Sequence, residues 1–263
     1  IHFFNPVHRM QLVEIVAGRL TSPEVVRRAL RFAQQIGKLP VLVNDSPGFL
    51  VNRILMPYLL EAGHLFEGGA RVEGLAPAMP DFRTPMGPLR LIDEIGVTVA
   101  QHVARNLAEK FGDRMRVPQV LEHMLSVGLL GRKSERGFYL HANRIPEVND
   151  GLRVFRQNDS VSELGRDKLQ ERMVLLMVNE AARCLEEGVV AAPEDVDFGM
   201  IMGTGFAPFR GGPLRYADAL GTATVVETMN RLVAGGASHF KPCTLLTSMA
   251  ATGATFYREK GEI

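Results

Sequence analysis

The residues in this chain that most invite a chemical reading are a histidine and a glutamate near its start, each on a short apolar run. His2 stands in Ile1-His2-Phe3-Phe4, and Glu14 lies inside Leu12-Val13-Glu14-Ile15-Val16. A carboxylate in an apolar strand is costly to bury unless a hydrogen-bond or charge partner meets it, and an imidazole is a natural partner. If the two strands meet, the pair is a general base with an orienting carboxylate: Glu14 fixes the tautomer, and His2 takes a proton from a substrate hydroxyl. The competing reading is an edge-strand glutamate facing water and a histidine used in a turn, and on spacing alone that reading prevails. Asn52 is the third candidate, a polar side chain expected on the same helical face as Phe49 and Met56, where a structural hydrogen bond competes with a catalytic one.

Other chemistries lose support residue by residue. Met202-Gly203-Thr204-Gly205-Phe206 holds two of the three glycines of a dinucleotide fingerprint and follows no strand signal, and no P-loop is present. His8, His64, His102, His123, His141 and His239 show no metal-ligand spacing, so no metal is expected. No serine sits in a Gly-x-Ser-x-Gly context, which removes support for a hydrolase triad. Lys+Arg 30 against Asp+Glu 29 leaves a formal charge of +1, without the basic footprint that nucleic-acid binding needs. Cys184 and Cys243 form neither a disulfide framework nor a zinc pair, which points to a reducing compartment and a cytoplasmic protein. No apolar run approaches the roughly 20 residues of a membrane helix. The chain opens Ile-His-Phe-Phe-Asn-Pro, with neither Met nor signal peptide, and reads as a piece cut from something longer.

The elements that must position these residues follow from periodicity. Residues 1–4, 12–16 and 40–43 read as strands. Ser22-Pro23-Glu24 supplies an N-cap, a first-turn proline and an early acid, and Gly37 sits where a left-handed residue closes a helix, which predicts a helix over 23–36. This is the pattern of βα units, and it is too short to be a doubly wound domain alone. After Asn44-Asp45-Ser46-Pro47-Gly48 the texture becomes helical with almost no strand signal. Ser46-Pro47 reads as the start of a helix reaching about Gly68.

An internal repeat organises the remainder. Gly87-Pro88-Leu89-Arg90-x-x-Asp93-x-x-Gly96 recurs as Gly212-Pro213-Leu214-Arg215-x-x-Asp218-x-x-Gly221, and Asn52 to Gly69 resembles Glu171 to Gly188. The expected fold is mainly α: the C-terminal remnant of a Rossmann α/β domain at 1–44, a helical domain at 45–140, a polar linker at 141–164, and a second helical repeat at 165–263.

His2-Phe3-Phe4-Asn5-Pro6-Val7-His8-Arg9-Met10-x-Leu12-Val13-Glu14-Ile15, followed by Asn44-Asp45-x-Pro47-Gly48-Phe49-x-Val51-Asn52-Arg53, resembles the 3-hydroxyacyl-CoA dehydrogenase family. Pro85-Met86-Gly87-Pro88-Leu89, Gly137-Phe138-Tyr139 and the run Gly205 to Tyr216 extend the likeness over nearly the whole chain. With the duplicated helical domain, it is most similar to the multifunctional hydratase and dehydrogenase members of bacterial fatty-acid oxidation. The resemblance implies helical domains like the C-terminal domain of 6-phosphogluconate dehydrogenase, NAD as cofactor, and an acyl-CoA substrate. It implies that His2 is the base that deprotonates the 3-hydroxyl, that Glu14 orients it, and that Asn5 and Asn52 contact substrate. Lys133, in Gly131-Arg132-Lys133-Ser134, aligns with a lysine that reaches the cofactor. A homodimer and docking to a thiolase β subunit are further implied. The Gly-rich phosphate turn of a Rossmann domain is not among these residues, so the isolated chain is expected neither to hold NAD tightly nor to turn over. Two other functions stay open: a non-catalytic helical docking module, and a stand-alone 3-hydroxybutyryl-CoA dehydrogenase with two helical domains.

Overall fold

The computed structural model describes residues 1–156 and 164–257. Strands β1 (His2–Phe3), β2 (Leu12–Ala17) and β3 (Leu39–Asn44) accompany helix α1 (Pro23–Gln35). Then come α2 (Val51–Glu67), α3 (Val72–Asp81), α4 (Pro88–Ile95), α5 (Val97–Phe111) and α6 (Gln119–Ser126). A strand pair, β4 (Tyr139–Leu140) and β5 (Glu147–Val148), precedes α7 (Arg166–Glu186), α8 (Pro193–Thr204), α9 (Pro213–Leu220), α10 (Thr222–Ala234) and α11 (Thr244–Thr252). The chain is thus mostly helical with small sheets. It divides into two compact units, residues 1–55 with 177–263, and residues 56–176.

In the first unit β2 is the central strand of a three-stranded sheet, antiparallel to β1 and parallel to β3. Its alternation assigns the two faces. Val13 and Ile15 pack with Ala33 of α1 and with Phe3, Ala29 and Leu30, so Leu12, Glu14 and Val16 point to the other side. Helix α1 starts as the cap chemistry dictates: the Ser22 side chain accepts from Val25 N, Pro23 opens the helix, and Glu24 sits in the first turn. It ends on Gly37 at φ +74°, with Lys38 N donating to Ala33 O and Gly37 N to Gln34 O. That paired closure satisfies two end carbonyls and requires a residue tolerant of positive φ.

The helical part of this unit is pinned by carboxylates that accept from backbone. Asp197 receives Leu214 N at 2.8 Å and Arg215 N at 3.0 Å at the start of α9, and Tyr257 Oη donates to it at 2.7 Å. Asp218 receives Phe256 N at 2.9 Å and Tyr257 N at 3.0 Å.

The second unit contains a matching device. Asp93, fully buried, receives Phe138 N and Tyr139 N, each at 2.9 Å, and its other contact is a ring nitrogen of His141 at 2.9 Å. Asp93 and Asp218 are the aspartates of the repeated Gly-Pro-Leu-Arg motif, and each clamps a Phe-Tyr pair.

One expectation needs correction. Ser46-Pro47 does not start α2, which begins at Val51. Instead Gly48 (φ +74°) and Phe49 (φ +50°) form a left-handed turn, closed by Phe49 N donating to Ser46 O at 2.8 Å. Phe49 therefore lies ahead of the helix, and the helical face drawn through Phe49, Asn52 and Met56 begins only at Asn52. The stretch from 141 to 156 of the expected linker carries local structure, since β5 pairs with β4 and a 3-10 helix runs Asp150–Phe155. The rest of that stretch, at 157–163, lies outside the described residues.

Candidate active site

Antiparallel pairing sets His2 directly opposite Glu14, and directly opposed residues share a face of the sheet. His2 Nδ1 lies 2.6 Å from Glu14 Oε2. A carboxylate only accepts, so Nδ1 carries the proton and the neutral ring keeps Nε2 as a lone-pair acceptor. Among the described residues Nε2 meets no hydrogen-bond partner. Glu14 is fully buried, whereas the His2 side chain keeps 29% of its surface, so the imidazole is reachable from solvent and the carboxylate is not.

The other Glu14 oxygen is held from below. Oε1 accepts from Leu50 N at 3.1 Å and Val51 N at 3.0 Å. These are the unsatisfied donors at the start of α2, where the helix dipole also favours an anion. The edge-strand reading of Glu14 is therefore overturned, because the carboxylate is inward and fully hydrogen-bonded. Aromatic rings flank the imidazole, with Phe4 at 4.8 Å and Phe49 at 5.4 Å between ring centroids. Lys38 Nζ donates to Val7 O at 2.5 Å and Met10 O at 2.7 Å, which ties down the loop that follows His2.

The remaining candidates are placed less tightly. Asn52 is half-buried, one residue beyond Val51, in the first turn of α2, and Asn5 is exposed in the loop after β1. Lys133 belongs to the second unit, exposed on the 3-10 turn Arg132–Ser134. Sequence reasoning missed Phe49, the Leu50 and Val51 amides, and Arg53. Pro47-Gly48 was the signal for the turn, and an arginine inside the apolar stripe of α2 was the signal for Arg53.

The turn leaving β2 towards α1 is the strand-to-helix turn at which the phosphates of a dinucleotide could sit. There Gly18 N donates to Thr21 Oγ1 at 3.1 Å, and Ser22 Oγ accepts from Val25 N. The turn is closed on itself, so these residues do not fit the phosphates of NAD. Among the described residues no group of three His, Cys, Asp or Glu could hold a metal ion, and no helix is long and apolar enough to cross a membrane.

The geometry defines a histidine held by a buried carboxylate at a junction of strand and helix start. The model for the NAD binding domain of 3-hydroxyacyl-CoA dehydrogenase matches residues 1–46, and that for its C-terminal domain matches residues 48–141 and again 169–262. The chain belongs to the 3-hydroxyacyl-CoA dehydrogenase family. The fatty acid oxidation complex subunit alpha of Vibrio parahaemolyticus is 39% identical over 257 residues, covering 98% of this chain and 37% of that protein. That of Shewanella sp. (strain ANA-3) is 40% identical over 263 residues, with the same coverage. The chain thus spans little more than a third of the length of these relatives. Among solved structures, 3-hydroxybutyryl-CoA dehydrogenase from Escherichia coli K12 superposes with a TM-score of 0.81 at 27% identity, covering 96% of this chain and 70% of that one. The dehydrogenase part of a multifunctional enzyme 1 from C. elegans gives 0.68 at 25% identity, covering 94% and 58%.

Proposed function

We propose that this chain is the distal part of an NAD-dependent L-3-hydroxyacyl-CoA dehydrogenase of fatty-acid β-oxidation, oxidising 3-hydroxyacyl-CoA to 3-ketoacyl-CoA. The reaction class carries NAD as hydride acceptor, and this chain supplies the proton half. His2 Nε2 takes the proton of the 3-hydroxyl, and Glu14 stabilises the imidazolium that results. Asn52, in the first turn of the helix that holds Glu14, is assigned to the substrate oxygen, and Asn5 to substrate. Lys133 is assigned to the cofactor. The observation that carries the reading is the 2.6 Å contact between His2 Nδ1 and a fully buried Glu14. An alcohol oxidation needs such a base, because free imidazole titrates at about 6.5 and returns its proton readily near neutral pH.

The architecture is read as two copies of one helical domain, 45–140 and 165–263, after the end of a Rossmann domain at 1–44. Support comes from the double match of the C-terminal model and from the equivalent clamps at Asp93 and Asp218. Membership of a multi-part complex, with a thiolase-type β subunit and a dimeric state, rests on the relatives named fatty acid oxidation complex subunit alpha. Relatives of that name match 98% of this chain at 39% and 40% identity, which supports this reading.

The test is His2→Gln in the complete protein, assayed with NAD and a 3-hydroxyacyl-CoA. Turnover is expected to fall about 10²- to 10⁴-fold with little change in KM. Equal turnover in that variant ends the base assignment.

A further inference from the structure

The mount that holds Glu14 continues into the far end of the sequence. Leu50 and Val51 donate to Glu14, and the same turn carries Arg53, whose side chain is buried. Arg53 Nε donates to Glu180 Oε1 at 2.7 Å, Nη2 to Glu187 Oε2 at 2.6 Å and Nη1 to Ser46 Oγ at 3.0 Å. Ser46 O closes the turn that sets Phe49 against the His2 ring. One guanidinium therefore joins the turn before α2, α2 itself, and α7 with the residue that follows it. A planar fork with fixed donor directions transmits orientation as well as charge.

Two further contacts reach the same place from the same part of the chain. Asn44, the last residue of β3, donates through N to Val189 O at 2.8 Å and through Nδ2 to Gly188 O at 2.7 Å. Helix α8 turns glycines to the start of α2. A Cβ on Gly199 would lie 2.9 Å from Leu50 Cδ2, and one on Gly203 would lie 2.9 Å from Val51 Cγ1 and 3.0 Å from Leu12 Cδ2. The two residues whose amides hold Glu14 are thus among those against which α8 packs with no space to spare.

We propose that Arg53, fixed by Glu180 and Glu187, is a positioning residue for the His2–Glu14 pair. Residues 177–203, from the second match of the helical-domain model, thereby set the pair's geometry. The kinetic consequence rests on the dehydrogenase reading, and the geometric consequence does not.

The experiment uses the complete protein with Glu180→Gln, Glu187→Gln and Gly203→Ala, and Glu227→Gln on exposed α10 as the control. Two quantities are read: the downfield proton resonance of the hydrogen-bonded His2 Nδ1–H, and kcat and KM for hydroxyacyl-CoA oxidation. In the three test variants the resonance is expected to move upfield or broaden. Their kcat is expected to drop about 10- to 100-fold with KM within about twofold, as displacement of a catalytic group by a fraction of an ångström would give. The control should match the parent in both. If Glu180→Gln fails to fold, the milder Glu187→Gln and Gly203→Ala decide. Folded variants with unchanged resonance and unchanged kcat overturn the proposal. A displaced resonance in a protein that oxidises no hydroxyacyl-CoA upholds the positioning role and defeats the dehydrogenase reading instead.

Discussion

Glu14 does two jobs with two oxygens, and substitutions separate them. In Glu14→Gln the amide oxygen can still accept from Leu50 N and Val51 N, but the amide nitrogen faces His2 Nδ1. A donor there forces the imidazole to put its proton on Nε2, which removes the lone pair that the proposed proton transfer uses. The expected result is near-parental stability with turnover lowered about 10²-fold or more. Glu14→Ala strands two buried amides, so denaturant unfolding should show a further loss of about 1–3 kcal/mol. If Glu14→Gln loses as much stability as Glu14→Ala, the two tasks are not separable. A different residue-level test concerns Cys243, whose thiol burial pushes up to about 11. Cys184 is buried as well. Thiolate is the reactive species, so neither cysteine should react with a thiol reagent in the native protein at neutral pH, and both should react after unfolding.

At the scale of elements, the sequence was legible wherever local chemistry decides the outcome. Ser22-Pro23-Glu24 and Gly37 bracket α1 to within a residue, and the strands around Glu14 follow from their apolar runs. The start of α2 was not legible, because Ser-Pro is as good a turn opener as a helix opener. What selects the turn is tertiary: Phe49 adopts φ +50°, rare for a bulky residue, where Arg53 ties Ser46 below and the His2 ring packs above. The His2–Glu14 contact was only half legible. The cost of a buried acid suggested a partner, but the register that supplies it lies in strand pairing. The repeat was legible as identities, and only three dimensions show what its aspartates share: Asp93 and Asp218 each accept from a Phe-Tyr pair. Glycines beside two buried aspartates are confined as well. A Cβ on Gly137 would collide with the Asp93 carboxylate, and one on Gly212 with the Asp197 side chain. Gly137→Ala and Gly212→Ala should each destabilise the protein by about 1–3 kcal/mol in chemical denaturation. Gly212→Ala should be the worse of the two, since Gly212 also sits at φ +102°. Gly74, with no neighbouring atom within 4 Å of a Cβ, should tolerate alanine.

For the molecule as a whole, each compact unit buries an aspartate in a backbone clamp, and the two give its acid stability an unusual sign. Burial drives the carboxyls of Asp93 and Asp197 above the ordinary range, outweighing the donors that would favour the charged form. A group whose folded value is raised binds more protons in the native state than in the unfolded one. Its contribution to stability is therefore fully present below the ordinary aspartate value of about 3.9 and is lost as pH rises through the raised value. Asp197→Asn removes that titration. The difference in unfolding free energy between parent and variant should be flat near neutral pH and should shift in the parent's favour as the solution is acidified. Chemical denaturation at a series of pH values reads this directly, against Asp150→Asn at an exposed position as a reference. A difference that instead shrinks on acidification would mean that Leu214 N, Arg215 N and Tyr257 Oη outweigh burial. Asp197 would then act as a charged anchor of α9.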